Sequence, residues 1–416
     1  MKKLKKLSLI IVVLGCLVVG SIFQPATAYA DGSGVLTKQL GVTSWNPTKT
    51  YNGFTLLAPL SGKDVWLIDM QGRIVHHWPM PSMLGTYAKL LPNGNLLCTL
   101  KTNPEERRKA GAPMLSGFGG LIREVDWDNK LIWEYEDHFM HHDFCRMKNG
   151  NTMVLKYVQV PPELMGKVKG GIPGTEDDGK MWTAQFDEVT PEGKVIWSWK
   201  SYEHLDPEKD TICPLDWRKE WTHANTCVVL DNGDILTSFR NIDMICIIDK
   251  KTGDIKWRWG RGPEELAHQH DPHFLPNGNL LIFDNGINRP IEEVSFSRVI
   301  ELNPESKQIE WQYEALPKND FYSPACSGAQ RLPNGNTLIC ETMNGRLFEI
   351  TTKGEIIWQY ICPFFNPLPN WGNVNWVFKA YRYGADDPRL KGRKLDPKKH
   401  DEWNRLYGPT AFKLDF

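Results

Sequence analysis

The 416-residue chain contains 49 basic and 50 acidic residues, which gives a formal net charge of −1. This balance excludes the basic surface expected of a protein whose partner is nucleic acid or an anionic membrane. Apolar residues make up 41% of the chain, with 17 Trp and 17 Phe, which excludes a disordered polypeptide. Because single cores usually stop growing at about 250 to 300 residues, the length predicts two domains or a repetitive architecture.

Residues 1–30 have the pattern of a secretory signal peptide. Four lysines precede an almost unbroken apolar run over residues 7–23, and residues 28–30 (Ala-Tyr-Ala) resemble a cleavage site. A retained membrane anchor and lipidation at Cys16 are the alternatives. We expect cleavage after Ala30, no membrane span afterwards, and an exported protein of the periplasm, the cell envelope or the extracellular space. The segment contains four lysines and no acid, so the mature net charge would be −5.

The nine cysteines include no CxxC pair, which argues against zinc ribbons and thioredoxin-type motifs. Several lie in apolar, strand-like runs, where a buried free thiol is the simplest interpretation. The sequence leaves any disulfide pairing open.

An Asn-Gly pair recurs between strand-like runs. Both residues tolerate positive φ, so the pair predicts a hairpin turn of type I′. The six copies are at residues 52–53, 93–94, 149–150, 232–233, 277–278 and 334–335.

A second motif alternates with the first and consists of an apolar strand, a polar turn and a strand that carries Trp. Its Trp residues are Trp78, Trp133, Trp197, Trp257, Trp311 and Trp358, with a mean spacing of 56 residues. This period is close to the roughly 50 residues of kelch-type blades. A β-solenoid is the competing repeat, but its rungs are much shorter. We therefore predict an all-β, six-bladed β-propeller with four-stranded blades.

The propeller is expected to form a single domain over residues 31–416. Residues 31–50 and the tail after Trp358 should supply strands that close the ring and a C-terminal cap. Trp-rich layers between neighbouring blades would allow one domain to exceed the usual core size.

Three histidines have related positions within the repeats. His142 and His270 each lie seven residues before the Asn of an Asn-Gly turn, and His223 lies nine before another. Arg240 lies eight residues after that third Asn, on the paired strand. Equivalent positions in different blades reach one level of the central channel, so we predict that these four side chains share a site. His141, His268 and His273 are adjacent and rank second, because neighbours on a strand point apart.

Such a cluster supports two chemistries. The imidazoles could hold a divalent metal ion, or one could attack an anionic ester while Arg240 stabilises the developing charge. A guanidinium repels a dication and suits sulfate or phosphate oxygens, so we predict no metal. A metal-dependent propeller lyase or hydrolase stays the alternative, together with a non-catalytic propeller that binds a ligand.

The sequence resembles the bacterial PAPS-independent arylsulfotransferases over nearly all of residues 40–385. The matching segments are 41–47, 52–56, 141–143 (His-His-Asp), 221–225 (Trp-Thr-His-Ala-Asn), 238–240 (Ser-Phe-Arg), 269–272 (Gln-His-Asp-Pro), 275–286 and 378–383. The ordered set of His142, His223, Arg240 and His270 makes the resemblance specific.

This resemblance implies transfer of a sulfuryl group from an aryl sulfate donor to a phenolic acceptor, by a ping-pong route through a sulfohistidine. His270 would be the nucleophile, while His142, His223 and Arg240 would bind sulfuryl oxygens, with His223 or His142 as acid and base. We expect Asp271 or nearby backbone to orient the second nitrogen of His270.

No cofactor is expected, since the chain lacks both GxGxxG after a strand and GxxxxGK[ST]. The family's dimerising N-terminal β-sandwich has no counterpart in the roughly twenty residues between Ala30 and the first predicted blade. A homodimer is therefore left open.

Overall fold

β-Strands dominate the computed structural model, which describes residues 39–261, 266–289, 294–409 and 411. The predicted signal peptide, with Cys16 and Ala30, lies outside these residues. Within them, no helix has the length and apolar character needed to cross a membrane. The eight described cysteines all have free thiols.

The strands are short, as expected for propeller blades. In chain order they are β1 (Gly41–Trp45), β2 (Gly53–Pro59), β3 (Asp64–Ile68), β4 (Ile74–Pro79), β5 (Leu84–Leu90), β6 (Leu96–Lys101), β7 (Gly120–Val125), β8 (Leu131–Glu136), β9 (Met140–Arg146), β10 (Thr152–Gln159), β11 (Gly170–Ile172), β12 (Trp182–Val189), β13 (Val195–Lys200), β14 (Ile212–Trp217), β15 (Ala224–Val229), β16 (Ile235–Phe239), β17 (Met244–Ile248), β18 (Ile255–Gly260), β19 (His270–Phe274), β20 (Leu280–Asp284), β21 (Arg298–Leu302), β22 (Ile309–Tyr313), β23 (Gly328–Arg331), β24 (Thr337–Glu341), β25 (Arg346–Ile350), β26 (Ile356–Ile361), β27 (Asn366–Leu368), β28 (Gly372–Val374) and β29 (Val377–Gly384). The α-helices are α1 (Pro104–Lys109), α2 (Pro162–Met165) and α3 (Asp401–Tyr407), and single 3₁₀ turns cover Ser201–Glu203, Arg240–Ile242, Lys318–Asp320, Thr342–Asn344, Pro388–Leu390 and Pro397–His400.

Six antiparallel sheets form the blades, which confirms the six-bladed propeller. Their strand orders are β29-β2-β3-β4, β5-β6-β7-β8, β9-β10-β12-β13, β15-β16-β17-β18, β19-β20-β21-β22 and β23-β24-β25-β26. The first strands of neighbouring blades contact one another around the central channel. Side chains at the start of each blade therefore meet, although they are far apart in sequence.

The ring is closed at the first and last blades. β29 pairs with β2, so the first blade takes its innermost strand from the C-terminal part of the chain, and β1 adds a fifth strand to β26. The prediction of a hairpin turn at residues 52–53 is therefore wrong. Asn52 and Gly53 do not form a turn, because Gly53 begins β2 and pairs with Gly384 of β29.

The other Asn-Gly pairs do form hairpin turns, but not of type I′. In the turn at Asn93, only Gly94 has positive φ, and the Asn93 side chain accepts a hydrogen bond from the Asn95 backbone N–H at 3.0 Å. The same contact recurs at Asn149, Asn232, Asn277 and Asn334. The Asn side chain stabilises its own turn, so the backbone needs only one left-handed residue, the glycine.

Tryptophans of the outermost strands connect each blade to the next. The indole N–H of Trp78 donates to the Asp126 carbonyl at 3.2 Å, and that of Trp358 donates to Met70 at 2.9 Å. The other four indole contacts are Trp133 to Pro191, Trp199 to Gly253, Trp257 to Pro304 and Trp311 to Thr352. In the third blade this residue is Trp199 and not the predicted Trp197. These bonds form a closed ring, because each ends on the outer turn of the neighbouring blade.

The apolar core is divided among the blade interfaces. Six buried clusters combine residues from neighbouring blades, for example Phe186 and Trp199 of the third blade with Phe239 and Cys246 of the fourth. Trp78 and Trp358 are fully buried, whereas Trp133, Trp257 and Trp311 are half-buried. Each blade is thus stabilised by its neighbours.

A buried lysine ties three blades together in the channel. Lys379 of β29 lies 2.9 Å from the Asp271 carboxylate and 3.7 Å from that of Asp143. Burial lowers the pKa of Lys379, but the two carboxylates outweigh it and raise the pKa above its usual value. Asp143 also accepts hydrogen bonds from the Tyr87 hydroxyl and, at 2.7 Å, from the Cys227 N–H.

Lys379→Met should destabilise the propeller by roughly 3–5 kcal/mol, because it leaves two buried carboxylates without their cation. Chemical denaturation measures this loss. Lys148→Met is the matched control, since Lys148 pairs with Asp231 on the exposed surface and its loss should hardly change stability. Equal midpoints for the two variants would show that the buried pairs do not stabilise the ring.

Candidate active site

The structure brings the four predicted side chains together. The rings of His142 and His223 are 4.6 Å apart, and the ring of Phe378 lies 6.2 Å from both His142 and His270. Arg240 and His223 are close enough to His270 to lower its pKa. His142 lies on β9, His223 precedes β15, His270 begins β19 and Arg240 follows β16. Three successive blades therefore build one site.

His270 is held in one tautomer by Asn285. The Asn285 amide nitrogen donates to the carbonyls of Ser323 and Cys326 at 2.7 and 2.9 Å, so its oxygen faces the imidazole. That oxygen lies 2.7 Å from Nδ1 of His270 and can only accept, so Nδ1 carries the proton. The His268 carbonyl, 3.2 Å away, accepts from the same nitrogen. Nε2 is left with a free lone pair, which is the requirement for a nucleophile.

Asp271 does not orient His270, contrary to one part of our expectation. Its carboxylate binds Lys379 and accepts from the Ala329 N–H at 3.3 Å. Asp271 has a φ of 56°, so the backbone turns between the two residues and directs the carboxylate into the channel. The expected backbone contact exists, through His268, but the side chain that orients the ring is Asn285.

His223 is oriented by a carboxylate. Its Nδ1 lies 2.7 Å from Oε2 of Glu220, three residues earlier, and an ionised carboxylate can only accept. Nδ1 therefore donates, and Nε2 is available to exchange protons with a ligand. The His223 side chain is 11% exposed, whereas His270 is 2% exposed as a residue. His223 thus lies on the more open side of the site.

His142 is packed more tightly than its partners. Its Nδ1 lies 2.7 Å from Nδ1 of His141, whose ring stacks on Tyr157 at 3.8 Å. A Cβ at Gly117 would lie 2.2 Å from Cε1 and Nε2 of His142, so only glycine allows the two segments to approach. A small cavity borders this ring and is also lined by Thr86 and Thr99.

Burial keeps His142 and His270 neutral. The pKa of His270 is lowered well below its usual value by desolvation and then by Arg240, which outweigh the bond to Asn285. The pKa of His142 is lowered by desolvation and by its neighbours His223 and His141. A neutral His270 is in its nucleophilic form at neutral pH.

Arg240 supplies the positive charge. Its backbone N–H donates to the His223 carbonyl at 3.2 Å, and its Nη1 donates to Oδ1 of Asn241 at 2.8 Å. Asp216 lies 3.6 Å from Nη1, outside hydrogen-bonding distance. The guanidinium therefore has donors left for an anionic ligand.

The sequence matches the family model for arylsulfotransferase (ASST) over residues 108–362, more than half of the chain. The chain belongs to the arylsulfotransferase family. This match confirms the resemblance and supports a sulfotransferase that acts on small molecules. No curated protein matches the sequence.

Solved structures resemble this arylsulfotransferase family member only in part. A protein of unknown function from Bacteroides caccae has a TM-score of 0.48 and 13% identity, over 80% of this chain and 98% of its own. A streptogramin B lyase has a TM-score of 0.43 and 12% identity, over 83% and 93%. Hydrazine synthase of Kuenenia stuttgartiensis has a TM-score of 0.42 and 12% identity, over 70% and 72%. At this level of similarity none of them bears on the chemistry.

The alternative function, a metal-dependent enzyme, would need His142, His223 and His270 to bind the metal ion. In this arylsulfotransferase family member, the groups with suitable geometry consist of other residues. Among the described residues, two groups have donor atoms within 4.8 Å of one another, namely Cys213, Asp216 and His268, and Glu106, Glu136 and His138. His142, His223 and His270 do not form such a group. The first group adjoins Arg240 through Asp216.

Sequence analysis missed the residues that orient the site. Glu220 could have been found, because it lies only three residues before His223. Asn285 could also have been found, because it lies eight residues after Asn277, the same offset from the turn that places Arg240 after Asn232. Phe378 and Asp216 come from β29 and β14, which no repeat offset connects to the histidines. The catalytic roles of the four predicted residues stay predictions.

Proposed function

We propose that this protein is a PAPS-independent arylsulfotransferase that carries the sulfuryl group on His270. The main support is the fixed tautomer of His270, whose Nδ1 proton is held by Asn285 while Nε2 keeps its lone pair beside Arg240. Aryl sulfates are the proposed donors and phenols the acceptors.

In the first half-reaction, Nε2 of His270 attacks sulfur and the bond from sulfur to the aryl oxygen breaks. The electron pair leaves with the phenoxide, which takes a proton from His223. Asn285 accepts from Nδ1–H throughout, so the ring keeps that proton while Nε2 bears the sulfuryl group. Arg240 stabilises negative charge on the sulfuryl oxygens, as donors do in phosphoryl transfer.

In the second half-reaction, His223 removes the proton of the phenolic acceptor, and the acceptor oxygen attacks sulfur. The bond from sulfur to Nε2 breaks and its electrons return to the ring. Glu220 supports both roles of His223, because its carboxylate holds Nδ1–H and leaves Nε2 to give and take the proton. His142 is the less suited acid and base, since Gly117 covers its Nε2 edge.

Turnover of a chromogenic aryl sulfate, with and without an added phenol and without any nucleotide, tests this function. We expect the phenol to accelerate release of the chromophore and to appear as its sulfate ester. Release at one rate whatever the phenol, with free sulfate as product, would indicate a hydrolase.

Exhaustive chelation should leave the transfer rate unchanged, because the proposed steps use only imidazole, carboxylate and guanidinium groups. Metal content measured before and after chelation makes the comparison quantitative. A stoichiometric zinc or manganese ion whose removal stops turnover would favour the metal-dependent lyase or hydrolase instead.

Export is also proposed, to the periplasm, the cell envelope or the extracellular space. It rests on the signal-peptide pattern of residues 1–30. Sequencing the N-terminus of the secreted protein tests cleavage after Ala30 against lipidation at Cys16. Whether the protein forms a homodimer is a separate question, which light scattering tests.

A further inference from the structure

His268 is a buried histidine that the proposed steps do not use. It is 1% exposed and has a φ of 62°, a conformation that side-chain-bearing residues rarely adopt. Its Nε2 lies 2.7 Å from Asp216, and its Nδ1 lies 3.2 Å from Asp243, whose carboxylate also accepts the His268 backbone N–H at 2.7 Å. Asp216 thus holds the ring by a hydrogen bond, whereas Nδ1 lies near the Asp243 carboxylate without a hydrogen bond to it.

The carboxylates beside His268 act on its pKa. Burial and Arg240 lower the pKa of His268, but Asp216, Asp243 and Cys213 outweigh them and raise it to about 10. The contact that matters for the site is geometric, because the ring N–H at Nε2 donates to the Asp216 carboxylate at 2.7 Å. A hydrogen bond to an ionised carboxylate is charge-assisted and strong.

Asp216 has two cationic neighbours at different distances. It makes its short contact, 2.7 Å, with His268, and Nη1 of Arg240 stays 3.6 Å away. Without the hydrogen bond from His268, the same carboxylate would be free to form a close ion pair with Arg240. That pair would occupy donors that the sulfuryl oxygens need.

His268 also contacts the nucleophile through its backbone. Its carbonyl accepts from Nδ1 of His270 at 3.2 Å, beside the Asn285 oxygen. His268 is therefore connected to His270 by its carbonyl and to Arg240 through Asp216, and these are the two groups that would act on the sulfuryl group.

We propose that His268 is a positioning residue, which engages Asp216 so that the Arg240 guanidinium stays free for the sulfuryl group. This inference rests on the proposed function. Its effect should appear in the chemical step more than in donor binding, because the Arg240 contact strengthens as charge develops on the sulfuryl oxygens.

The test is a double-mutant cycle between His268→Asn and Arg240→Lys. Asn tolerates positive φ better than most residues but is too short to replace the imidazole. The readout is the rate of sulfuryl transfer to the enzyme at saturating aryl sulfate, with the donor KM alongside. We expect His268→Asn alone to slow this rate by about 10-fold or more, with KM changed less than about twofold. In the Arg240→Lys background the same change should cost much less, because the group that it positions is already altered.

Four controls sharpen the cycle. His204→Asn makes the same substitution at a histidine that stacks on Trp199, away from the site, and should leave the rate unchanged. Asp216→Asn, added to His268→Asn, removes the carboxylate that would pair with Arg240 and should restore most of the rate. His268→Gly, which tolerates the positive φ, covers the case that His268→Asn does not fold. Metal analysis of the wild-type protein tests whether Cys213, Asp216 and His268 hold a cation.

Equal losses in both backgrounds would assign His268 a purely structural role and overturn the inference. Stoichiometric zinc that disappears in Cys213→Ser would overturn it too, since His268 would then be a metal ligand and would not donate to Asp216. If the wild-type enzyme takes no sulfuryl group from the donor, the proposed function fails and the inference falls with it. If the wild type takes the group and His268→Asn matches it, only the inference fails.

Discussion

Replacing His270 with alanine is expected to stop aryl-sulfate turnover, with kcat lower by roughly 10⁴-fold or more. His270 supplies the only nucleophile in the proposed route. The change also leaves the buried Asn285 oxygen with no imidazole partner, so stability should fall by about 1–3 kcal/mol while the propeller stays folded. Turnover of a chromogenic donor and a thermal melt measure the two effects separately.

His273→Ala is the matched control for this experiment. His273 lies on the same strand, β19, and its ring contacts only the Asp271 carbonyl among described hydrogen-bonding groups. It should keep nearly wild-type turnover. Added imidazole should partly restore donor cleavage in His270→Ala, because it can enter the vacated space and act as the nucleophile. Turnover in His270→Ala close to that of His273→Ala would remove His270 from the mechanism.

Arg240→Lys is expected to lower kcat by about 10²-fold or more, while the donor KM changes less. Lysine keeps the charge but loses the planar pair of donors that can grip two sulfuryl oxygens. Steady-state kinetics with the acceptor saturating, over a range of donor concentrations, separate the two constants.

The relative changes in kcat and in the donor KM show which role Arg240 has. A higher KM at unchanged kcat would make Arg240 a docking residue, and stabilisation of the transition state would then depend on His142 and His223. Arg258→Lys is a suitable control. Arg258 lies on β18, the outermost strand of its blade, and pairs with Asp210, which is not one of the four site residues.

The repeats predicted most of the fold because their two motifs mark every blade. The exception is the first blade, where Asn52-Gly53 resembles the other turns but β29 supplies the missing strand. Ring closure joins distant segments, so a local pattern could not show it. The turn type was also predicted wrongly, because the Asn side chain replaces a second left-handed residue with a hydrogen bond.

The site residues on or next to the blade strands could be predicted from the repeat. Residues on segments inserted between the blades could not. Equal offsets from the turns placed His142 and His270 at one level, and the structure brings them together with His223 and Arg240. Asp216 was missed because it reaches His268 from β14, outside the repeat, whereas Asn285 has the same offset from its turn as Arg240 and was within reach of the same argument. The expectation that Asp271 orients His270 was wrong, because adjacency in sequence says nothing about where a left-handed backbone turn directs a side chain.

The most direct test of the central claim is the mass of the intact protein after exposure to an aryl sulfate without acceptor. We predict a gain of one sulfuryl group, located on His270 by peptide mapping under conditions that preserve the nitrogen–sulfur bond. The adduct should disappear when a phenol is added, with formation of the phenyl sulfate. An adduct on any other residue, or turnover with no adduct on a time scale that would trap it, would contradict the sulfohistidine route.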